Sequence, residues 1–224
     1  MSLIDLIFPK NCLNCGKSGK YICDSCLSKV GVLKPACPYC EKPSIDGFTH
    51  IKCQKKYGLD GLICPWKYEG IVRKAIPALK FKYATEVGKE LSENFVSAIK
   101  SQYIKYYIPN TGVLVPIPIH WHRENVRGFN QSVEIGKRVA AEMGWGFTSN
   151  LLIKDKPTTS QVELSVEQRK QNLKGVFSLN TGTSLPNSII LLDDVFTTGS
   201  TLHEAAKVLK KAGVEKVWGL TIAR

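Results

Sequence analysis

The sequence predicts an α/β protein, a parallel sheet domain preceded by a small cysteine-rich module. Three observations carry this. All eight cysteines fall within the first 64 of 224 residues. Behind them, short β-branched apolar runs alternate with amphipathic helical stretches. One of those runs ends in an acid pair and a turn rich in glycine and hydroxyls.

The first segment, residues 1–60, is punctuated by Gly16, Gly19, Gly31, Pro35, Pro38, Pro43 and Gly47 and has no long periodic stretch. Such a segment buries little core, so something else must hold it. Cys12-x-x-Cys15 and Cys23-x-x-Cys26 form one half; Cys37-x-x-Cys40 and His50-x-x-Cys53 form the other. A two-residue spacing aims both donors of a turn at one point, and two turns complete a tetrahedron around zinc. Two structural zinc ions are therefore expected. Neighbouring pairs can share an ion, or the first pair can join the third and the second the fourth. Disulfides are the rival use of such cysteines, and a cytosolic chain would keep them reduced. Cys64, in an apolar Leu-Ile-Cys-Pro-Trp context, reads as a buried thiol.

From residue 61 the texture changes. The runs 113–117, 189–192 and 217–222 suit buried parallel strands. Between them lie three helical faces. Val87, Leu91, Phe95, Ala98 and Ile99 form the first. Ser132, Ile135, Gly136, Val139, Ala140 and Met143 form the second, closed by Gly144. Leu202, Ala205, Ala206, Leu209 and Ala212 form the third, closed by Gly213. The polar stretch 154–174 reads as a lid or as a solvated loop.

A composition of 43% hydrophobic and 22% charged residues excludes a disordered chain. The net charge of +12 suits an anionic partner, although excess charge also serves solubility. No apolar run approaches the roughly 20 residues of a membrane span, and residues 3–8 lack the flanks of a secretory leader. The expected location is the cytoplasm.

The most informative stretch is Ile189-Ile-Leu-Leu-Asp-Asp-Val-Phe-Thr-Thr-Gly-Ser-Thr201. Asp193 and Asp194, at the carboxyl end of a parallel strand, are placed to accept hydrogen bonds from sugar hydroxyls. Thr197, Thr198, Ser200 and Thr201 can donate to phosphate oxygens. Gly199 permits close backbone approach, and the helix that follows offers free N–H groups. The plainer reading is a helix cap by Ser200 or Thr201, but a cap needs only one such residue. The run 113–117 delivers a second loop carrying His120, His122, Arg123 and Arg127, whose guanidinium forks suit pyrophosphate; a solvated basic loop is the plainer reading. Gly128 would allow tight backbone approach there.

These residues resemble the phosphoribosyl pyrophosphate signature of type I phosphoribosyltransferases, in which apolar residues precede an acidic pair and a Thr-Thr-Gly-rich loop. A second segment, Val115-Pro-Ile-Pro-Ile-His-Trp-His-Arg-Glu-Asn-Val-Arg-Gly-Phe-Asn-Gln131, is similar to the pattern of the ComF (ComFC-like) competence family. So are Leu79-Lys-Phe-Lys82, Arg169 with Asn172, and the paired zinc motifs. The resemblance covers essentially the whole chain. It implies a double zinc ribbon over residues 1–60 and a type I phosphoribosyltransferase-like domain over 61–224. In that domain Asp193 and Asp194 would be the catalytic acids facing the ribose, and the 5-phosphate would lie on residues 197–201. Arg123, Arg127 and Gly128 would take the pyrophosphate with magnesium, and Arg169 would reach a phosphate from the lid.

The resemblance further implies a role in natural transformation at the inner face of the membrane, with single-stranded DNA and other DNA-uptake proteins as partners. The alternative it leaves open is an active phosphoribosyltransferase acting on a base or other small acceptor, with no direct DNA role; no base-reading pocket is recognisable. A third reading makes the zinc module a protein-docking platform. Lys52, Lys55 and Lys56 beside Tyr57 offer phosphate attraction with base stacking. Lys67, Arg73, Lys74, Lys80 and Lys82 among Trp66, Tyr68, Phe81 and Tyr83 offer the same. A solvated face over buried aromatics is the competing reading.

Overall fold

The computed structural model describes residues 10–79, 84–103, 112–119, 131–155, 175–180 and 182–224. In chain order the elements are α1 (Asp24–Leu27), β1 (Gly61–Ile63), α2 (Gly70–Ala78), α3 (Ala84–Tyr103), β2 (Val113–Pro116), α4 (Gln131–Met143) and β3 (Gly146–Phe147). They continue with β4 (Leu152–Lys154), β5 (Phe177–Leu179), β6 (Ser188–Val195), α5 (Ser200–Lys211) and β7 (Lys216–Ala223).

Five strands form one sheet in the order β1-β7-β6-β2-β3, every pair parallel. β4 and β5 form a separate antiparallel pair. Successive side chains of a strand point to opposite faces, so a run such as Ile189-Ile-Leu-Leu192 must be covered on both. Ile190 and Leu192, with Leu114, pack among Leu91 and Phe95 of α3 and Val139 of α4. Ile189, Leu191 and Val115 pack on the other side with Leu202, Ala205 and Leu209 of α5 and with Leu152 and Phe177 of the antiparallel pair. Burying one such side chain is worth about 1.5–3 kcal/mol, so this run anchors the domain.

The parallel α/β domain behind a cysteine-rich module is the architecture expected from the sequence. The three predicted helical faces are those of α3, α4 and α5, and Gly144 and Gly213 follow α4 and α5 with positive φ. β6 runs further than the apolar run 189–192, through both acids to Val195. α2 does not stand out as a periodic stretch, because Gly70 opens it and Pro77 lies in its last turn. Its Ile71, Val72, Ala75 and Ile76 are buried. Trp66 is buried as well and packs on Phe95, their centroids 5.9 Å apart, so at this position the solvated face over a buried aromatic is what the fold adopts. Lys80, Phe81, Lys82 and Tyr83 lie outside the described residues.

The cysteine module is packed into the sheet domain. Cys12, Ile22, Cys23 and Cys26 share a core with α2 and α3. The Ile22 amide donates to Glu90 Oε2 at 2.8 Å, and Lys10 Nζ pairs with Glu86 at 2.7 Å. Phe48 meets Trp218 of β7 edge-on, with centroids 4.8 Å apart. Trp218 lies over Gly61, where an added Cβ would run into the indole ring. We expect Gly61→Val to overpack this contact at a cost of about 1–3 kcal/mol, read as a lower Tm. An unchanged melting curve would contradict the packing described.

Candidate functional site

The sheet has one point where its strand order reverses. From β2 the chain moves outward to β3; from β6 it moves the opposite way to β7. Crossovers to either side of such a point leave a crevice at the carboxyl ends of the two central strands, where open α/β sheets take ligands. Here those strands are β2 and β6. Pro116 stands beside Leu192, and the Ile117 amide donates to the Leu192 carbonyl at 2.8 Å. The loop after β2 therefore leaves the sheet beside the acid pair.

Asp193 and Asp194 end β6. The Asp194 amide donates to Asp193 Oδ1 at 2.9 Å and the Val195 amide to Asp194 Oδ1 at 2.8 Å. Loss of hydration, and then the like charge of Asp194, push the Asp193 carboxyl above the usual carboxylate range. Asp193 keeps part of its surface open, so water tempers that rise. Lys154 on β4 pulls weakly the other way. Lys154, the first residue of the polar stretch 154–174, lies in β4, with Nζ 5.9 Å from the Phe177 centroid.

The turn after β6 brings the hydroxyls together. Thr198 Oγ1 and Ser200 Oγ lie 2.7 Å apart. Gly199 is the N-cap of α5, at φ +68°, and makes no side-chain capping bond. A Cβ there would collide with the Phe196 ring and with His203, so glycine is required for both backbone conformation and space. The cap by Ser200 or Thr201 that the sequence allows is not what the turn forms. The arrangement offers a helix start and two adjacent hydroxyls to an anion.

His203, one turn into α5, belongs to no motif that the sequence displays. Its ring stacks on Tyr39 with centroids 4.5 Å apart and 17° between planes, and Phe196 meets it edge-on. Tyr39 stands between Cys37 and Cys40 and accepts a hydrogen bond from the Leu59 amide at 2.8 Å. A residue of the cysteine module thus braces the helix that carries the turn. His120, His122, Arg123, Arg127, Gly128, Arg169 and Asn172 lie outside the described residues, as does the stretch 154–174 read as a lid or a solvated loop, apart from Lys154, which ends β4, and Asp155.

The cysteine motifs form two clusters, Cys12, Cys15, Cys23 and Cys26 in one and Cys37, Cys40, His50 and Cys53 in the other, with donor atoms within 4.8 Å of one another. Pairing is between neighbouring motifs, not interleaved. Ligands about 2.3 Å from a tetrahedral zinc stand about 3.8 Å apart, and Cys15 Sγ and Cys23 Sγ are separated by 3.7 Å. His50 turns Nδ1 to Cys40 Sγ at 3.3 Å and Nε2 to the Pro43 carbonyl at 3.1 Å. That outer hydrogen bond fixes the tautomer that leaves Nδ1 free to bind metal. Both clusters fit structural zinc. Cys64 is buried, and burial pushes its thiol up to about 11.

These features define a parallel α/β domain with a turn rich in glycine and hydroxyls at its switch point, behind a pair of cysteine clusters that fit zinc. A family model described as "Double zinc ribbon domain" matches residues 3–65. Competence protein F of Haemophilus influenzae is 28% identical over 96% of this chain and 98% of its own length. DNA utilization protein YhgH of Escherichia coli K12 is 28% identical over 89% of each. Competence protein ComFC of Bacillus subtilis is 26% identical over 93% of this chain and 86% of its own. Over most of its length the chain is a homologue of these competence and DNA utilization proteins. Among solved structures, adenine phosphoribosyltransferase from Leishmania donovani is 18% identical over 61% of this chain and 65% of that one, with a TM-score of 0.29.

Neighbour pairing makes a sharp prediction. Cys12→Ser with Cys26→Ser should leave one zinc ion per chain, bound by the second cluster. If those two substitutions strip both ions, as measured by metal analysis, the interleaved arrangement is correct instead.

Proposed function

We propose that the protein acts in natural transformation, handling incoming single-stranded DNA, and that it binds phosphoribosyl pyrophosphate with magnesium at the β6–α5 turn. The observation that carries the ligand is the position of Asp193, Asp194 and residues 197–201 at the strand-order reversal. The names of the full-length relatives support the biological role. In this reading residues 1–60 and 61–224 are two domains, the 5-phosphate rests on the start of α5, and the ribose faces the acids. Arg123, Arg127, Gly128 and Arg169 are proposed for the phosphates. Among the described residues no helix is long and apolar enough to cross a membrane, and the protein is proposed to work in the cytoplasm at the inner face of the membrane with other uptake proteins.

The same site supports a second reading, transfer of the phosphoribosyl group to a base or small acceptor. Displacement at C1 builds positive charge on the ribose ring and negative charge on the departing pyrophosphate. The carboxylates of Asp193 and Asp194 would stabilise the first, and fixed cations the second. Magnesium held by the ligand's own phosphates would add positive charge there.

Wild type should bind phosphoribosyl pyrophosphate with magnesium, and Asp193→Asn with Asp194→Asn should weaken binding at least about tenfold, the loss of hydrogen bonds to charged acceptors. Equal affinity in calorimetry would sink the site. Release of pyrophosphate with a free base, independent of DNA, would favour the transferase over the DNA-handling reading.

A pH dependence follows from Asp193. An ionised carboxylate accepts from ribose hydroxyls, whereas ligand-free Asp193 keeps its proton above the ordinary carboxylate range. Affinity should therefore rise with pH until Asp193 ionises in the free protein, and this rise should vanish in Asp193→Asn. By linkage, a carboxyl raised in the folded state costs stability as pH climbs through its folded value, so the ligand-free melting temperature should fall over the same window, and less so in Asp193→Asn.

A further inference from the structure

Beside the phosphate turn, where the cysteine module meets the flank of α5, lies a pocket of about 490 Å³. Thr198 and Ser200 reach it from the turn, Lys207 from α5, and Tyr39 and residues 55–58 from the module. Its size is within the range that accepts a drug-sized or nucleotide-sized ligand. Among the described residues its lysines are Lys55, Lys56 and Lys207, and its one carboxylate, Glu204, is engaged by the Gly175 amide at 2.9 Å and lies 3.6 Å from Lys207. The balance is positive.

The pocket also offers rings. Tyr57 is exposed, with Lys56 Nζ 5.3 Å and Lys211 Nζ 5.9 Å from its centroid. Lys55 Nζ stands 4.7 Å from the Tyr39 centroid. Tyr39 is already stacked on His203, so the exposed ring of Tyr57 is the one offered to a ligand, and an acidic peptide would use the ammonium groups but not that ring. A free phosphate would use only the cations and hydroxyls. A ligand with both a flat ring and a phosphate uses all of them.

We propose that this pocket binds a nucleotide, with its base on Tyr57 and its phosphate among Lys55, Lys56 and Lys207. The nucleotide is either free or one unit of a single strand. The site is built jointly by the two modules and opens beside the sugar-phosphate turn. This inference rests on the DNA-handling part of the reading above and gives it a location. Single-strand binding sites pair a cationic track with stacking rings in this way.

The test uses the full, zinc-loaded chain, with dAMP and a labelled oligothymidylate as probes. Lys56→Ala with Lys207→Ala should weaken binding and flatten the dependence of log K on log salt by about 0.7 for each phosphate that the protein no longer neutralises. Tyr57→Ala should weaken binding about tenfold without changing that slope, and Tyr57→Phe should restore it. Zinc content and melting temperature confirm that each variant is folded. Response with dAMP identifies a free nucleotide as ligand; response with the oligonucleotide alone identifies a strand. If every variant binds the oligonucleotide as wild type does, the pocket is overturned while the DNA-handling reading stands. If wild type binds neither probe, both fall. Phosphoribosyl pyrophosphate binding, measured on the same samples, reports separately on the turn.

Discussion

The parallel pairing of β6 with β2 on one side and β7 on the other is the constraint on which the rest of the molecule depends. It buries the run 189–192 on both faces, and it places the two acids at the carboxyl end of the innermost strand. Because the chain leaves β2 and β6 in opposite directions, the two crossovers part at those ends, the place where open α/β sheets take ligands. The acid pair, the left-handed Gly199 and the start of α5 are then held against a rigid sheet. A site built this way needs little further ordering when an anion arrives.

The cysteine module is part of that rigidity. A segment with so few long apolar stretches cannot form a core of its own, and metal ligation at the two clusters would take over that role. Yet Cys12, Cys23 and Cys26 also close the core over α2 and α3, and Asp60 ties the module's end to the sheet. Asp60 accepts from the Val217 amide at 2.7 Å and pairs with Lys210 at 2.7 Å. Tyr39 carries the connection further. Standing between two metal ligands and stacked on His203, it makes the second zinc knot a mechanical support of the α5 N-terminus. Zinc held at the two clusters would stabilise the module and, through this stack, the turn proposed to hold phosphate.

Much of this is legible in the chain because the signals are local. The two-residue cysteine spacing, the 3.6-residue periodicity of α3, α4 and α5, and the acid pair followed by Thr-Thr-Gly are each written within a few turns of sequence. What is not legible depends on distant residues meeting. Trp66 sits among lysines and aromatics that look like a binding face, and only the position of Phe95 shows it to be core. His203 and Tyr39 carry no motif, and their stacking follows from how the module docks. α2 is short and bounded by Gly70 and Pro77, both poor helix formers, so tertiary burial of Ile71 and Ile76 stabilises it in place of local propensity.

In the proposed function the crevice at the ends of β2 and β6 takes a sugar phosphate. Amide chemical shifts followed during titration with ribose 5-phosphate and magnesium test it most directly. A sugar-phosphate site there gives saturable shifts concentrated in residues 193–203, with Gly199 and Ser200 among the largest and the edge strand β3 unmoved. Shifts absent from this turn, or confined to the cysteine module, would contradict it.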